Sequence, residues 1–268
     1  MGSATREASA NARAALAAQS TVLSDSAAAS ATGEELLAAG RVIGDSAQLR
    51  STLADASIPD AEKTAVIGKL FGGASAATRA VLDAIVTSRW SSHDDLLAGI
   101  EELGFSAIAA SAGGDDDIIA ELFSFGRAVT SDPELELAIG SKLGGSAAKA
   151  ALVDRLLAGK ASSQALAIVR HLVQQPRGRR IRTLVADAAT IVAREGGFAI
   201  ATVTVARELS DAQLKRLAAG LSARFGTLRI NQVVDSSLIG GLRVQVGDDV
   251  IDDSIATKLN TLKLQLAG

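Results

Sequence analysis

The sequence predicts a mainly α-helical protein: an Ala-rich N-terminal helical bundle region, predicted to be a duplicated unit, followed by a small C-terminal α+β unit. The chain is 48% hydrophobic but only 3% aromatic, with 3 prolines in 268 residues. Its apolar content is dominated by Ala and Leu, a composition that favours helices with small-residue packing. Up to residue 195 the apolar positions recur with helical spacing, and after Gly197 they alternate as in a half-buried strand.

The helical region also repeats itself. A displacement of 86 positions, 135 minus 49, brings Leu49 onto Leu135. The same displacement aligns Glu35, Leu36, Gly40 and Arg41 with Glu121, Leu122, Gly126 and Arg127, and a one-residue gap then aligns Val81, Leu82, Ile85 and Val86 with Ile168, Val169, Leu172 and Val173. We therefore expect a duplicated helical unit over roughly 31–110 and 117–195. The predicted domains are an N-terminal helical domain (1–110), a second, repeat-related helical unit (117–195) and the α+β unit (198–268).

Glycine pairs divide the helical region. They are predicted to stop helices at their C-terminal ends, and they stand at Gly72-Gly73, Gly113-Gly114, Gly144-Gly145 and Gly196-Gly197. Asp115, Asp116 and Asp117 precede an apolar run that begins at Ile118. Acids at a helix N-terminus are favoured there over a cation site, because the helix dipole attracts negative charge.

The C-terminal unit is predicted to contain three strands and two helices. The strands are expected near 198–206, 228–235 and 238–246, and the helices near 211–225 and 254–266. Ser210 is expected to be the N-cap of the first of these helices. The pair Gly240-Gly241 falls within the third predicted strand, where glycine usually marks a bulge or a close backbone approach. Nucleotide binding at this pair is disfavoured.

Composition excludes several classes of site. The chain has no Cys and only two His, which removes disulfides and thiolate metal sites and leaves little for a histidine-based one. A net charge of -3 gives no overall attraction to nucleic acid or anionic lipid. Apolar runs fall short of a bilayer span, and the first residues carry no apolar signal core, so a soluble, cytoplasmic chain is expected.

No set of residues combines into a reactive centre, and we predict no catalytic, cofactor-binding or metal-binding residues. Gly159-Lys160-Ala161 lacks the Ser or Thr and the preceding strand of a phosphate loop. His93-Asp94-Asp95 is interpreted as a solvated N-cap, and His171, on an apolar helix face, as a partly buried structural residue. The acids from Asp248 to Asp253 lack calcium-loop spacing and fit a hairpin turn and a helix N-terminus.

A basic cluster over Arg177–Arg182 is the best candidate for a polyanion contact. Arg177, Gly178, Arg179 and Arg180 follow a Gln-Gln-Pro sequence, with Arg182 two positions on. The favoured interpretation is a solvated turn whose first arginine caps the preceding helix. Protein contacts and binding of nucleic acid or lipid are the alternatives, and no aromatic residues are interleaved to support the latter.

The segment from Leu228 onward carries the most specific pattern. It consists of Leu228, Ile230, Val234-Asp235, Leu238, Gly240-Gly241, Leu242, Val244-Gln245, Gly247-Asp248, Val250-Ile251-Asp252 and Ser254-Ile255. In this order the residues resemble the delta-subunit family of the bacterial rotary (F-type) ATP synthase, whose mitochondrial relative is the oligomycin-sensitivity-conferring protein. Residues Ala12–Leu16, Thr87–Trp90 and Gln175–Arg177 agree less tightly. Two helical units, where a typical member has one, resemble the long form in some high-GC bacteria.

The resemblance implies a non-catalytic stator subunit of the proton-translocating ATP synthase. The helical N-terminal domain is expected to hold N-terminal helices of the alpha subunits, with beta subunits as further candidates in the head. The C-terminal part is expected to hold the membrane-anchored b subunit. Together they form the peripheral stalk at the cytoplasmic face of the plasma membrane, where membrane contact is indirect.

Three points are left open by the resemblance. Either helical unit is a candidate to bind the alpha subunits. The terminal stripe of Ile255, Leu259, Leu262 and Leu266 is either core, which we favour, or a b-subunit contact. The alternative function is a helical scaffold module that binds RNA or anionic lipid through Arg177–Arg182, although no nucleic-acid partner is expected.

Overall fold

The fold is mainly helical and ends in a small sheet, which confirms the predicted fold class. The computed structural model describes residues 2–113, 117–141, 144–235 and 237–253. These residues form thirteen helices and four strands. Their contacts divide the chain into two compact units, 1–192 and 193–268.

Seven helices precede residue 113. They are α1 (Ser3–Ala17), α2 (Ser20–Leu23), α3 (Ser26–Asp45), α4 (Ala47–Ala54), α5 (Asp60–Leu70), α6 (Ala76–Thr87) and α7 (His93–Ala110). Five more follow, namely α8 (Ile118–Ser131), α9 (Pro133–Gly140), α10 (Ser146–Leu157), α11 (Ser163–Gln174) and α12 (Ile181–Glu195). We call α3–α7 the first helical repeat and α8–α12 the second helical repeat.

Side-chain caps explain where most of these helices begin. In the first helical repeat the N-cap side chains of Asp25, Ser46, Ser75 and Ser92 accept hydrogen bonds from backbone N–H groups three residues on. In the second, Asp117, Asp132 and Ser162 do the same. Each bond satisfies one of the N–H groups that a helix start leaves without a partner.

The two repeats correspond helix by helix. The bounds of α4 and α9 differ by 86 residues (133 minus 47), and those of α6 and α11 by 87 (163 minus 76). Buried positions correspond as well, since Val81 in α6 and its counterpart Ile168 in α11 are both 0% exposed. The aligned apolar residues are therefore core positions in both repeats.

One glycine pair has a different role from the one predicted. Gly144-Gly145 does not stop a helix, because α9 already ends at Gly140 and Gly145 is the N-cap of α10. By contrast, Gly197 follows the end of α12 with a φ of +72°, a backbone conformation that favours glycine.

The second unit contains a four-stranded mixed sheet and one described helix. The strands are β1 (Ala199–Val205), β2 (Leu228–Val234), β3 (Leu242–Val246) and β4 (Asp249–Asp252), in the order β2-β1-β3-β4. β1 is parallel to β2, joined through α13 (Asp211–Phe225), and antiparallel to β3, which pairs antiparallel with β4. Ser210 caps α13 in a capping box with Gln213. The core of this unit lies between one sheet face and α13, around Val203, Leu221 and Val244.

The third strand is shorter than the sequence indicates. β3 begins at Leu242, so Gly240-Gly241 precedes the strand instead of lying within it. Gly241 has a φ of +83°, which an extended strand does not accommodate. The apolar pair Val250-Ile251 belongs to the additional strand β4. The predicted terminal helix near 254–266 lies outside the described residues.

No helix among the described residues combines the length and the apolar character that crossing a bilayer requires.

Candidate functional site: a charged junction between the helical repeats

A buried carboxylate lies where the two helical repeats meet. Glu101 is in α7, and its side chain is 6% exposed. It accepts hydrogen bonds from Arg177 Nη2 at 2.7 Å and from Arg179 Nη2 at 2.8 Å. His171 Nε2 lies 3.3 Å from the same carboxylate. We call these four residues the charged junction. Glu101 belongs to the first helical repeat, and its three partners belong to the second: His171 is in α11, and Arg177 and Arg179 lie between α11 and α12.

His171 occupies the junction as a neutral, fully partnered imidazole. Its Nδ1 lies 3.3 Å from Arg41 Nη1, which can only donate, so Nδ1 is the acceptor and Nε2 carries the proton toward Glu101. The ring also meets Phe105 edge-on, with centroids 5.7 Å apart. The predicted structural role of His171 thus extends to bridging two repeats.

The surroundings of the charged junction favour an ionised Glu101 and a neutral His171. Burial by itself would raise the pKa of Glu101, but the hydrogen bond from His171 and the charges of Arg177 and Arg179 lower it to about 2. For His171, burial dominates and lowers its pKa below 6.5, which favours the uncharged ring. At neutral pH the carboxylate is therefore charged and hydrogen-bonded, as a buried charge must be to be stable.

Further polar contacts surround the junction. Arg179 Nη1 reaches Asp187 at 3.2 Å, and Gln175 Nε2 donates to Asp45 Oδ1 at 2.7 Å across the two repeats. Arg177 Nη1 also donates to the backbone carbonyl of Asp94 at 3.5 Å. The bonds of Gln175 to Asp45 and of Arg177 to Asp94 join residues far apart in sequence, whereas the bond of Arg179 to Asp187 is local.

The favoured interpretation of the basic cluster Arg177–Arg182 is wrong for Arg177 and Arg179. Arg177 bonds to Glu101 instead of capping the preceding helix, and the side chains of Arg177 and Arg179 are only 18% and 25% exposed. Both are held by Glu101, which lies more than 70 positions earlier and cannot be foreseen from local sequence. Arg180 and Arg182 remain exposed. Protein contact, the second interpretation, describes Arg177 and Arg179, although the contact is within the chain.

Other residues singled out from the sequence lie apart from this junction. His93 is the first residue of α7, follows the N-cap Ser92, and stands half-exposed 3.7 Å from Asp94. Asp249 lies in β4, 3.6 Å from Arg224. Within the ranges that the structure describes, no three His or acidic residues are grouped as a metal ion would require.

Each helical repeat also contains a glutamate that accepts a hydrogen bond from the N-cap residue of a later helix. Glu35 in α3 accepts from the backbone N–H of Ser75, the N-cap of α6, at 3.0 Å. Its counterpart Glu121 in α8 accepts from the backbone N–H of Ser162, the N-cap of α11, also at 3.0 Å. Burial raises the pKa of Glu35, but hydrogen bonds from Thr78 and Ser75 outweigh it and lower the pKa overall. Each glutamate thus ties the start of one helix to the side of another.

Sequence reasoning missed Glu101, and one signal points to it. Glu101 and Glu102 interrupt an otherwise apolar helix in which residues 96, 97, 99, 100 and 103–108 are all buried. An acid in a continuously apolar helix must be paired to be tolerated. Its partners could be found only from the fold.

The sequence of this chain is similar to those of known proteins. The family model described as "ATP synthase delta (OSCP) subunit" matches residues 105–266. A protein of Leifsonia xyli named "ATP synthase subunit delta" is 53% identical over 268 residues, covering 100% of both chains. Proteins of the same name from Pseudarthrobacter chlorophenolicus (39% identical, 88% of this chain and 90% of theirs) and Kineococcus radiotolerans (38%, 96% and 97%) are also similar.

Among solved structures, a chain in the Toxoplasma gondii mitochondrial ATP synthase hexamer matches 63% of this chain and 97% of its own length. That match has 22% identity and a TM-score of 0.39. The chain belongs to the ATP synthase delta (OSCP) subunit family.

Proposed function

We propose that this chain joins the alpha/beta catalytic head of an ATP synthase to the membrane-anchored b subunit, so that the head cannot turn with the rotor. As a member of its family the chain is a stator subunit of the peripheral stalk, a structural part of the complex and not its catalyst. The observation that carries the proposal is the relative named "ATP synthase subunit delta", which is 53% identical over 100% of both chains.

The proposal assigns different partners to different parts of the chain. The helical domain 1–110, followed by the repeat-related unit 117–195, would contact the N-terminal helices of the alpha subunits, with beta subunits as further candidates. The α+β unit 198–268 would hold the b subunit. A tether requires large contact surfaces and stiffness, and weak contacts in series within one assembly strengthen one another through effective concentration.

A surface groove supports the first helical repeat as the side that meets the head. It lies between α1 and α6 and is lined by residues such as Ala4, Asn11, Ala84 and Ser88. The charged residues Glu7, Asp60 and Arg89 line it as well, so a partner helix in this groove would make polar as well as apolar contacts.

The complex is membrane-bound and this subunit is peripheral to it. We assign the chain to the cytoplasmic face of the plasma membrane, where its membrane contact passes through the b subunit. The alternative of an RNA- or lipid-binding scaffold has lost its main support, because Arg177 and Arg179 are committed to Glu101.

Depletion and add-back in membranes test the proposal. Membranes that contain the synthase are stripped of this chain, and ATP-driven proton pumping is measured before and after the full-length chain is restored. We expect pumping to be lost on stripping and recovered on restoration, while the head retains its own ATP hydrolysis. Full pumping in membranes that lack the chain would contradict a stator role.

Crosslinking in the intact complex tests the assignment of partners. A photoreactive residue at Asn11, in the groove, is compared with one at Arg155, which is exposed on the second helical repeat. We expect the alpha subunit to be captured from Asn11. Capture of alpha from Arg155 alone would assign that contact to the second helical repeat.

A further inference from the structure

When the helices of the two repeats are matched in order, α1 has no equivalent among the described helices of the second helical repeat. Helices α3–α7 match α8–α12 in order, but no described helix lies between α7 and α8. In the first part of the chain α1 packs along α6 and α7. The corresponding side of α11, the counterpart of α6, is covered by a different helix.

The side of α11 in question faces α7. Ala84 of α6 lines the groove beside α1, and the residue 87 positions later (171 minus 84) is His171. His171 contacts Glu101 and Phe105, which are both in α7. In the second helical repeat, α7 therefore stands where α1 stands in the first.

The burial of α7 agrees with two sets of neighbours. Every residue from Leu96 to Ile108 is buried except Ala98, whereas a helix that packs on one side only leaves its opposite face in water. α7 contacts α1, α3, α4 and α6, which precede it in the chain, and also α11 of the second helical repeat.

Two adjacent acids of α7 bind in different directions. Glu102 pairs with Arg13 of α1, with Glu102 Oε1 2.7 Å from Arg13 Nε. Glu101 pairs with Arg177 and Arg179, which follow α11. The family model, moreover, begins its match at residue 105, inside α7. The family match thus starts within the helix that ends the first helical repeat.

We propose that α7 is shared by the two helical repeats, as the last helix of the first and the opening helix of the second, and that Glu101 is the positioning residue that pins them together. The doubled region then behaves as one rigid body instead of two domains on a hinge. Its mechanical meaning, a stiffer tether between head and stalk, rests on the proposed function. The groove between α1 and α6 has its counterpart between α7 and α11, where Glu101 bonds to His171 and Arg177.

Distance measurements between the repeats test the inference. The chain has no Cys, so spin labels at Lys69→Cys in α5 and Arg155→Cys in α10 are site-specific; the two positions correspond (155 minus 69 is 86) and both are exposed. Full-length chains carry Glu101→Gln or, as the matched control, Glu102→Gln, which breaks a pair inside the first part of the chain.

We expect one narrow distance distribution for the unaltered chain and for Glu102→Gln. For Glu101→Gln we expect a distribution at least about twofold broader, because two arginines lose the negative charge of their buried partner. A broad distribution in the unaltered chain would overturn the rigid body, and equal widths for the two variants would overturn the pinning role of Glu101. Arg179→Gln, at a more exposed position, gives a second reading if Glu101→Gln does not fold, which circular dichroism reports.

The same variants, added back to depleted membranes, separate the two proposals. If the unaltered chain restores proton pumping and Glu101→Gln restores less, stiffness matters to coupling. If Glu101→Gln broadens the distances but restores pumping fully, the mechanical meaning of the junction is wrong while the shared helix stands. Failure of the unaltered chain to restore pumping counts against the proposed function alone, because the distances are measured on the isolated chain.

Discussion

The first and second helical repeats have matching helices but different surroundings. Each has a glutamate that binds the N-cap of a later helix, Glu35 with Ser75 and Glu121 with Ser162. Yet the first is completed by α1, and the second by α7 of its neighbour. The two repeats teach that a duplicated pattern of core residues accompanies repeated helices. On one face the residues differ: His171, at the position of Ala84, contacts α7, whereas Ala84 lies beside α1.

A second difference is the closeness of helix packing. In the first helical repeat Gly33 of α3 crosses Gly104 of α7, and a Cβ added to Gly33 would lie 2.7 Å from the Gly104 carbonyl oxygen. The corresponding positions in the second are Ile119 (33 plus 86) and Val192 (104 plus 88). The first helical repeat thus depends on a backbone contact that larger residues would prevent.

The largest effect should come from this crossing. Gly33→Ala should destabilise the protein by about 2 kcal/mol, because backbone must move to admit the methyl group. Gly68→Ala is the matched control: it is also helical, nothing lies within 4 Å of its added Cβ, and it should gain about 0.5–1 kcal/mol. Urea unfolding measures both. If Gly33→Ala were as stable as Gly68→Ala, the difference in packing between the repeats would be unimportant.

A double-mutant cycle across the charged junction should show the next largest effect. For Glu101→Gln combined with Arg179→Gln we expect a coupling free energy of about 1–2 kcal/mol, since Glu101 is buried and Arg179 is partly exposed. The cycle for Glu102 and Arg13, whose side chain is 46% exposed, should give no more than about 1 kcal/mol. If the coupling free energy of Glu102 with Arg13 exceeded that of Glu101 with Arg179, the stronger ion pair would join α7 to α1 and not the two repeats.

Removing the glutamate that binds an N-cap residue should lower the stability equally in the two repeats. Glu35→Ala and Glu121→Ala should each cost about 1 kcal/mol, because each frees the N–H of a helix N-cap. Glu34→Ala, an exposed neighbour on α3, should change the stability by less than about 0.5 kcal/mol. Thermal unfolding of the three variants makes the measurement. If only one of the two glutamate variants lost stability, the two contacts would be alike in geometry but not in their contribution to the unfolding free energy.

The smallest effect should be on pH dependence. The folded-state pKa of His171 is lowered from 6.5, mainly by burial, so the unfolded chain takes up a proton first as the pH falls. Its contribution is therefore fully present above 6.5 and declines below it. The groups that face the ring, Glu101, Arg41 and Arg177, keep their charges in this range.

Replacing His171 isolates that contribution. The unfolding free energy of the natural chain should decrease more than that of His171→Gln between about pH 7.5 and 5.5, because glutamine does not titrate. Chemical unfolding at several pH values provides the comparison. Parallel curves for the two proteins would mean that the imidazole is protonated equally in the folded and unfolded chain.

Local signals predicted much of the fold. Ser210 was identified as an N-cap because its hydroxyl precedes an amphipathic run, and the displacement of 86 positions located residues that are buried in both repeats. Two errors concern the local backbone at glycines, and one arose because the deciding interaction is distant. Gly145 starts a helix instead of ending one, Gly240-Gly241 precedes its strand, and Arg177 binds an acid 76 positions earlier.

By itself the sequence determined the helical class, the doubling, the small α+β unit and the family, because these follow from periodicity, caps and ordered motifs that are local along the chain. Only the tertiary structure decided that Glu101 is a buried link and that Arg177 and Arg179 face inward. The physical reason is that burying charge is favourable only with partners in place, and those partners come from helices that meet after folding. The same holds for α7, whose two sets of neighbours exist only once both repeats are packed.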